Sequence, residues 1–394
     1  MLSTVIQMNK ELSYEKISDV CDINPYSVND DSFDEKNIKY ITISDMNAGY
    51  YDEKEEIDIE DSPSRAKRVI KESCSVVSTV RVENRYYFYA ESTPDNLVCT
   101  TGTVVFKPTN RDELLPEYLY YCVTSSNFYA ELEKRETGTT IPSVNLSEIK
   151  SIKIPVPSIE KQKQLSELLR DIDNKIRLNR ELSELLEDTA QKIYKSWFEE
   201  YEPYELEDDK NIPDKFTEKK LGDILSLEYG SNLPKKERID GEYPVYGSNG
   251  INGSHNSYEV EGPNIIVGRK GTIGTVNLSF DNFWPIDTTY YVDEIEDYEL
   301  YYIKHLLESL NLTELNEDSA VPGLNRNTAY QQNIIYPDEE SIKKYNNIVS
   351  EFYSKKKIIK EENKNIKNLR DYLSPLLLNG DIHIEENEDE IKAP

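Results

Sequence analysis

Thr140-Ile141-Pro142-Ser143-Val144-Asn145 returns 180 residues later as Ala320-Val321-Pro322-Gly323-Leu324-Asn325. Fifteen residues beyond the first proline of each hexapeptide comes another, Pro157 and Pro337, and a long helical pattern follows each. Upstream, Lys16-Ile17-Ser18-Asp19-Val20 matches Lys220-Leu221-Gly222-Asp223-Ile224 at an offset of 204. The chain therefore reads as globule, helix, globule, helix, and the gap between the two offsets makes the second globule 24 residues shorter than the first.

The first helix is expected from Ser158, an N-cap after the extended Pro155-Val156-Pro157, with Glu160 in its first turn. Apolar residues recur at Leu165, Leu168, Leu169, Ile172, Ile176, Leu182, Leu186, Ala190, Ile193 and Trp197, a three-and-four spacing far longer than an ordinary globular helix. The second is expected from Asp338, through Ile342, Tyr345, Val349, Phe352, Ile359, Ile366, Leu369 and Leu373, with a break at Ser374-Pro375. Asn179 and Asn363 fall on the seams, where a polar residue costs stability and fixes register. One stripe per repeat implies that the two stripes bury each other as an antiparallel pair. The expected fold class is α+β: two mainly-β globules (1–157 and 202–337), two long helices (158–201 and 338–380) forming an antiparallel coiled coil, and an acidic tail (381–394).

Within the globules, 86–89, 97–99, 103–106, 264–267 and 289–292 read as strands. Glu117–Tyr129 and Leu300–Leu310 read as matching helices, and closely spaced glycines from 241 to 274 read as tight turns.

The 394 residues are 37% hydrophobic and 31% charged, with mean hydropathy −0.69, and contain no apolar run of membrane-spanning length. Met1-Leu2-Ser3-Thr4-Val5 lacks the basic start of a signal peptide, so a cytoplasmic location is expected. Cys21, Cys74, Cys99 and Cys122 show no paired spacing and read as buried thiols; His255, His305 and His383 are too dispersed for a histidine-rich metal site. The net charge of −29 argues against a polyanionic partner only on average, because phosphate attraction is local. Acids concentrate in 52–61, 199–209 and 381–394, whereas 64–71 carries Arg65, Lys67, Arg68 and Lys71 without an acid.

No catalytic constellation stands out. Gly268-Arg269-Lys270-Gly271-Thr272-Ile273-Gly274 lacks the Gly-Lys-Ser/Thr of a phosphate loop, and Asn24-Pro25-Tyr26 has one proline where an amino-methyltransferase loop has two. Several segments instead suit a polyanion. Arg65, Lys67 and Arg68, Ser78, Thr79 and Arg81, and Thr101 do so in the first half; Ser248, Asn249, Arg269, Lys270 and Thr272 do so in the second. Lys and Arg neutralise phosphates, and Arg and Asn offer the paired hydrogen bonds that distinguish base edges. Arg65, Lys67 and Arg68 are taken as the counterparts of Arg269 and Lys270, and Arg269 is expected at the surface, where its removal would spare folding.

Three stretches carry a family resemblance: Tyr243-Pro244-Val245-Tyr246-Gly247-Ser248-Asn249-Gly250-Ile251, then 262–274, then Phe283-Trp284-Pro285-Ile286-Asp287-Thr288-Thr289-Tyr290-Tyr291. Ser64-Arg65-Ala66-Lys67, Ser78-Thr79-Val80-Arg81, Ile152-Lys153-Ile154-Pro155-Val156-Pro157 and the carboxyl-terminal 369–382 add to it. With them the chain resembles the specificity (S) subunits of type I restriction–modification systems over nearly its whole length. The first half departs in having Ser73-Cys74-Ser75-Val76-Val77 for a more apolar strand and Val82 for a proline.

The resemblance implies two target-recognition domains on a helical spacer, each reading half of a split site in double-stranded DNA. It also implies two adenine-N6 methyltransferase subunits as partners, restriction subunits as optional ones, and S-adenosylmethionine, ATP and Mg²⁺ held by those partners, with no cofactor, metal or catalytic residue in this chain. The spacer contacts would come from Leu165, Leu169, Ile172, Ile176, Asn179, Leu186, Ile342, Val349, Phe352, Ile359, Asn363 and Leu373. A helix of about 40 residues is about 60 Å long, enough to serve half-sites one duplex turn apart. Two readings stay open beside this one: a coiled-coil scaffold without DNA recognition, and the specificity subunit of a combined restriction–methylation enzyme outside type I.

Overall fold

The structure is a computed structural model that describes residues 13–138, 140–206, 211–293, 295–315 and 323–381. Ala320-Val321-Pro322, His383, the tail from 382 and the end of the acidic run 199–209 lie outside the described residues. The chain divides into two compact units, 1–178 with 363–394, and 179–362. Each consists of one globule plus half of each long helix.

The first unit begins with β1 (Tyr14–Lys16), the short helix α1 (Ile17–Val20), β2 (Cys21–Ile23), β3 (Asn37–Ile41), β4 (Glu56–Asp58), β5 (Ala66–Val69), β6 (Cys74–Ser78), β7 (Tyr87–Ala90), β8 (Leu97–Thr100) and β9 (Thr103–Pro108). α2 (Pro116–Thr124), α3 (Ser126–Glu133), α4 (Leu146–Lys150) and β10 (Lys153–Pro155) follow, and then α5 (Ile159–Phe198). One antiparallel sheet runs β2-β9-β6-β7; a second runs β4-β3-β8-β5, with β3 and β8 parallel; β1 pairs with β10. β6 and β9 are rich in β-branched residues and almost wholly buried, as central strands covered on both faces are. The helix expected over Glu117–Tyr129 is two helices. Ser125 ends α2 and caps α3, its hydroxyl accepting from the Phe128 N–H (3.2 Å).

The second unit repeats the plan with β11 (Thr217–Lys220), β12 (Ser226–Tyr229), β13 (Tyr243–Gly247), β14 (Gly250–His255), β15 (Asn264–Gly268), β16 (Val276–Ser279), β17 (Trp284–Pro285), β18 (Thr289–Asp293), α6 (Leu300–Ser309), α7 (Arg326–Tyr330) and β19 (Asn333–Tyr336), and then α8 (Glu339–Leu378). Its sheets run β12-β18-β15-β16, β14-β13-β17 with β13 and β17 parallel, and β11-β19. Among the described residues the second sheet has three strands where the first unit has four. At the edge where β5, the basic stretch, pairs with β8, the second unit has only an isolated antiparallel bridge, Val260 to Phe283, beside β17.

The duplication reaches individual hydrogen bonds. Ile17 N–H donates to Ile152 C=O (2.8 Å), and Leu221 N–H to Gln332 C=O (2.9 Å), residues related by the two offsets found in the sequence.

Packing runs on past residue 157. Leu165 and Leu169 of α5 and Leu377 and Leu378 of α8 lie in one core with Tyr118, Phe128 and Ile154 of the first globule. α8 does not break at Ser374-Pro375; burial of Leu377 and Leu378 (both 2% exposed) outweighs the missing proline donor. Ala190 and Tyr194 pack with Ile342, Tyr345 and Val349 in the second unit's core. In both units the two helices run antiparallel, and the fold is α+β as expected. Ile359 and Asn179 are buried; Ile172, Ile176, Leu186, Phe352, Asn363 and Leu373 are half-buried. Leu168, Leu182 and Leu369, read as part of the stripe, are exposed instead. The register leaves them on the outer faces of their helices.

Candidate nucleic-acid interface

The turns that follow β6 and β15 are built on the same frame. Thr79 N–H donates to Gly102 C=O (2.9 Å), and its carbonyl accepts from Val144 N–H (2.9 Å). Arg269 N–H donates to Thr288 C=O (2.8 Å), and its carbonyl accepts from Leu324 N–H (2.8 Å). Val80 bridges to Ser143, and Lys270 to Gly323. Thr79 and Val80 therefore occupy the places of Arg269 and Lys270, which corrects the matching of Arg269 and Lys270 to Arg65, Lys67 and Arg68. One residue on, the backbone is left-handed in both units: φ is +50° at Arg81 and +77° at Gly271. Glycine takes that conformation freely, whereas a side chain there costs about 1 kcal/mol, so the exposed Arg81 is held in mild strain at the tip of its turn.

In the first unit the structure brings three expected segments together. Thr101 N–H donates to Arg65 C=O (2.9 Å), and Gly102 C=O accepts from both the N–H and the hydroxyl of Thr79 (2.9 and 3.0 Å). Arg65, Thr101 and Arg81 are exposed and Thr79 is half-buried at this end of the strands. Ser78 faces inward; its hydroxyl donates to Val80 C=O (2.9 Å) and holds the turn. Lys67 and Arg68 lie along β5, where Lys67 Nζ donates to Asn29 Oδ1 (3.5 Å). Arg68 is half-buried with no hydrogen bond at Nε among the described residues.

In the second unit Ser248 and Asn249 form the β13–β14 turn, and Ser248 C=O accepts from the Thr275 hydroxyl beyond β15. Asn249, Lys270 and Thr272 are exposed. Arg269 is not a free surface arginine. Its guanidinium stacks over the Tyr229 ring (4.6 Å to the centroid), lies 5.7 Å from that of Tyr290 and donates to Asp287 C=O (3.0 Å). Sequence reasoning missed Arg326, which also stacks on Tyr229 (4.9 Å) and donates to Leu227 C=O (2.9 Å). Tyr229, 47% exposed between two guanidinium groups, offers an aromatic face with fixed cations around it.

Ion pairs fix the long helices, to each other and to α6 in the second unit and to each other in the first. In the second unit Glu187 of α5 accepts from Lys304 (2.5 Å), Lys356 and Tyr353 (2.7 Å), while His305 lies between the Tyr345 and Tyr353 hydroxyls (2.7 and 3.0 Å). Burial alone would raise the Glu187 carboxyl, but His305, Lys304 and Lys356 together hold it well below the usual carboxylate range. Burial lowers the His305 pKa, keeping the ring neutral. Glu187, His305 and Glu308 come close enough to suggest a metal site, yet Lys304 Nζ already lies on both carboxylates. In the first unit Arg370 pairs with Asp173 (2.8 Å) and Asp371 (3.0 Å). All four cysteines are buried free thiols, and no helix of the described residues is long and apolar enough to cross a membrane.

Comparison with known proteins gives one consistent answer. The sequence model of the type I restriction modification DNA specificity domain matches twice, over residues 9–188 and 213–368. A type I restriction enzyme specificity subunit of Methanocaldococcus jannaschii, MjaIX, is 27% identical over 307 residues, covering 70% of this chain and 71% of that protein. The HindI specificity subunit of Haemophilus influenzae is 26% identical over 210 residues, covering 53% of this chain and 43% of that protein. The crystal structure of a type I restriction-modification S subunit from M. genitalium shares the fold with TM-score 0.53 at 16% identity, covering 96% of this chain and 99% of that one. With both copies of the domain matched over most of its length, the chain belongs to the specificity subunits of type I restriction–modification systems.

Proposed function

We propose that this chain reads a bipartite, asymmetric site in double-stranded DNA, one half per unit, and carries two adenine-N6 methyltransferase subunits to it. The observation that carries the reading is the pair of turns after β6 and β15. One backbone frame presents Thr79-Val80-Arg81 in one unit and Arg269-Lys270-Gly271 in the other, so the same scaffold offers two different contact surfaces. Direct contacts are assigned to Arg65, Lys67, Arg68, Thr79, Arg81, Thr101, Ser248, Asn249, Arg269, Lys270 and Thr272, with Ser78 shaping its turn. In this reading the chain supplies the address and no chemistry. S-adenosylmethionine belongs to the methyltransferase subunits, and ATP and Mg²⁺ to restriction subunits where these join.

The test is reconstitution. The purified chain with S-adenosylmethionine and duplex DNA should transfer no methyl groups, and adding the methyltransferase subunits should give N6-methyladenine. Methyl transfer by the chain alone would overturn the division of labour. An assembled complex that methylates without sequence preference would favour the scaffold reading.

A further inference from the structure

The sheet β4-β3-β8-β5 is electrically polarised. Glu53, Glu55, Glu56, Asp58, Glu60 and Asp61 lie in or beside β4 at one edge, and Lys67, Arg68 and Lys71 in or beside β5 at the other. The basic edge extends onto the neighbouring sheet through Tyr26. Val69 N–H donates to Tyr26 C=O (3.3 Å), and the Tyr26 ring holds Lys71 Nζ at 4.7 Å and Lys107 Nζ at 4.9 Å from its centroid. Lys107 also donates to the Tyr26 hydroxyl. Asp22 lies directly across from Lys107 in the β2–β9 register, and the nearby Asp30 carboxylate is taken by Ser27 N–H (2.6 Å). Among the described residues neither acid forms an ion pair with these cations, and none of Lys67, Arg68, Lys71 and Lys107 has a carboxylate within 4 Å. The second unit differs. Lys270 meets Asp287 (3.9 Å), Arg326 meets Glu228 (3.5 Å), Lys236 meets Glu237 (3.9 Å) and Lys360 meets Asp281 (2.9 Å), and Arg269, which has no carboxylate within 4 Å among the described residues, is held on tyrosine rings.

We infer that the β5 edge and the Lys71–Tyr26–Lys107 cluster grip the phosphate backbone of duplex DNA, so that the first unit supplies most of the salt-dependent affinity and the second unit little. An unpaired cation that neutralises a phosphate displaces a condensed counterion, whereas a cation already neutralised by a carboxylate displaces less. The inference rests on the DNA-reading function proposed above and adds a division between the halves: an anchor in the first, readout with little electrostatic pull in the second. It also accounts for the cations of the β5 edge, where the second unit's Val260–Phe283 bridge is flanked by Glu259 and Glu261 instead, in a chain of net charge −29 that has few cations to spare.

The experiment measures affinity against salt for the full chain assembled with its methyltransferase subunits, on a duplex carrying the methylated site and on one of random sequence. Lys71→Ala/Lys107→Ala should lower the slope of log affinity against log salt by nearly 2, since each phosphate contact contributes about 0.9. Lys236→Ala/Lys270→Ala should lower it by less than half as much. Lys71→Arg/Lys107→Arg should restore the slope, which a purely structural role would not require, and thermal melting checks that each variant folds. Specific binding with an unchanged slope in the first-unit variant, or an equal drop from both pairs, would overturn the inference and leave the DNA-reading function standing. A wild-type complex without preference for the methylated site would overturn that function as well.

Discussion

After β6 the chain reads Ser78-Thr79-Val80-Arg81, and after β15 Gly268-Arg269-Lys270-Gly271, on one backbone course. The first unit places its guanidinium at the left-handed position and leaves it exposed; the second places it two residues earlier and packs it on tyrosines. The ion pairs on the long helices differ as well. Glu187 gathers two lysines and a tyrosine in the second unit, whereas in the first an arginine shares two carboxylates. The comparison teaches that the two units keep one hydrogen-bonded frame while the side chains on it differ, as the proposed reading of two unlike half-sites would require.

The largest expected difference lies in the ion pairs. Glu187→Gln removes the carboxylate charge shared by Lys304 and Lys356, leaving Lys304 only Glu308 and Lys356 no counter-charge within 4 Å among the described residues, and should destabilise the second unit by about 3 kcal/mol. Asp173→Asn, which leaves Arg370 its bond to Asp371, should cost about 1 kcal/mol in the first. Both tryptophans, Trp197 and Trp284, belong to the second unit, so their fluorescence during denaturant unfolding reports on it alone, and hydrogen exchange reports on the first. Acid should act in the same order. As pH falls through about 6.5 the unfolded chain protonates His305 while the folded unit keeps it neutral, so stability is lost; near pH 4 the depressed Glu187 adds to the loss. Among the described residues the first unit has no histidine, and its hydrogen-exchange protection should outlast the tryptophan signal.

Gly268→Ser puts the first unit's residue into the second unit's turn. A β-carbon there would lie 2.3 Å from Thr272 O and 2.5 Å from Thr275 Oγ1, so a loss of about 2 kcal/mol is expected in the tryptophan-monitored transition. Ser78→Gly, losing the hydroxyl's two bonds to the Val80 backbone (2.9 and 3.3 Å), should cost about 1 kcal/mol. Equal costs would mean that Thr272 and Thr275 give way around the added β-carbon and that the two turns tolerate the same residue.

Arg269→Ala should lower stability by about 1–2 kcal/mol through lost stacking and the lost bond to Asp287, and weaken specific binding by a further 1–3 kcal/mol. Arg81→Gly should be the gentlest for folding, within about 0.5 kcal/mol of zero, because relief of left-handed strain offsets the added freedom of the unfolded chain. It should still weaken binding to the first half-site in a competition assay. A folding effect as large as that of Arg269→Ala would place Arg81 in the fold's support rather than at its contact surface.

The architecture was legible in the sequence where backbone geometry imposes a pattern. The offsets of 180 and 204 survive because the same hydrogen bonds recur, and the long helices announce themselves by periodicity. The candidate site was legible only as loops. Arg269 reads as a surface cation because Tyr229, Tyr290 and Asp287, which hold it, come from other strands and from the turn before β18. Strand β5 was visible as a basic run, but its place beside β8 depends on long-range pairing that local pattern does not encode. The outward turn of Leu168, Leu182 and Leu369 was hidden for a similar reason, since a long stripe does not say which of its residues meet a partner helix.

The central claim, that two units read separate halves of one site across a helical spacer, is tested most directly by methylome sequencing. Cells would carry either this chain or a variant with four residues inserted after Arg180, each with the methyltransferase subunits. Four helical residues add about 6 Å, a little under two base pairs at about 3.4 Å each. The predicted result is N6-methyladenine in a motif of two unlike halves at a fixed gap, and in the variant the same two halves at a gap changed by one or two base pairs. A single uninterrupted motif, or new half-site bases at the old gap, would contradict it.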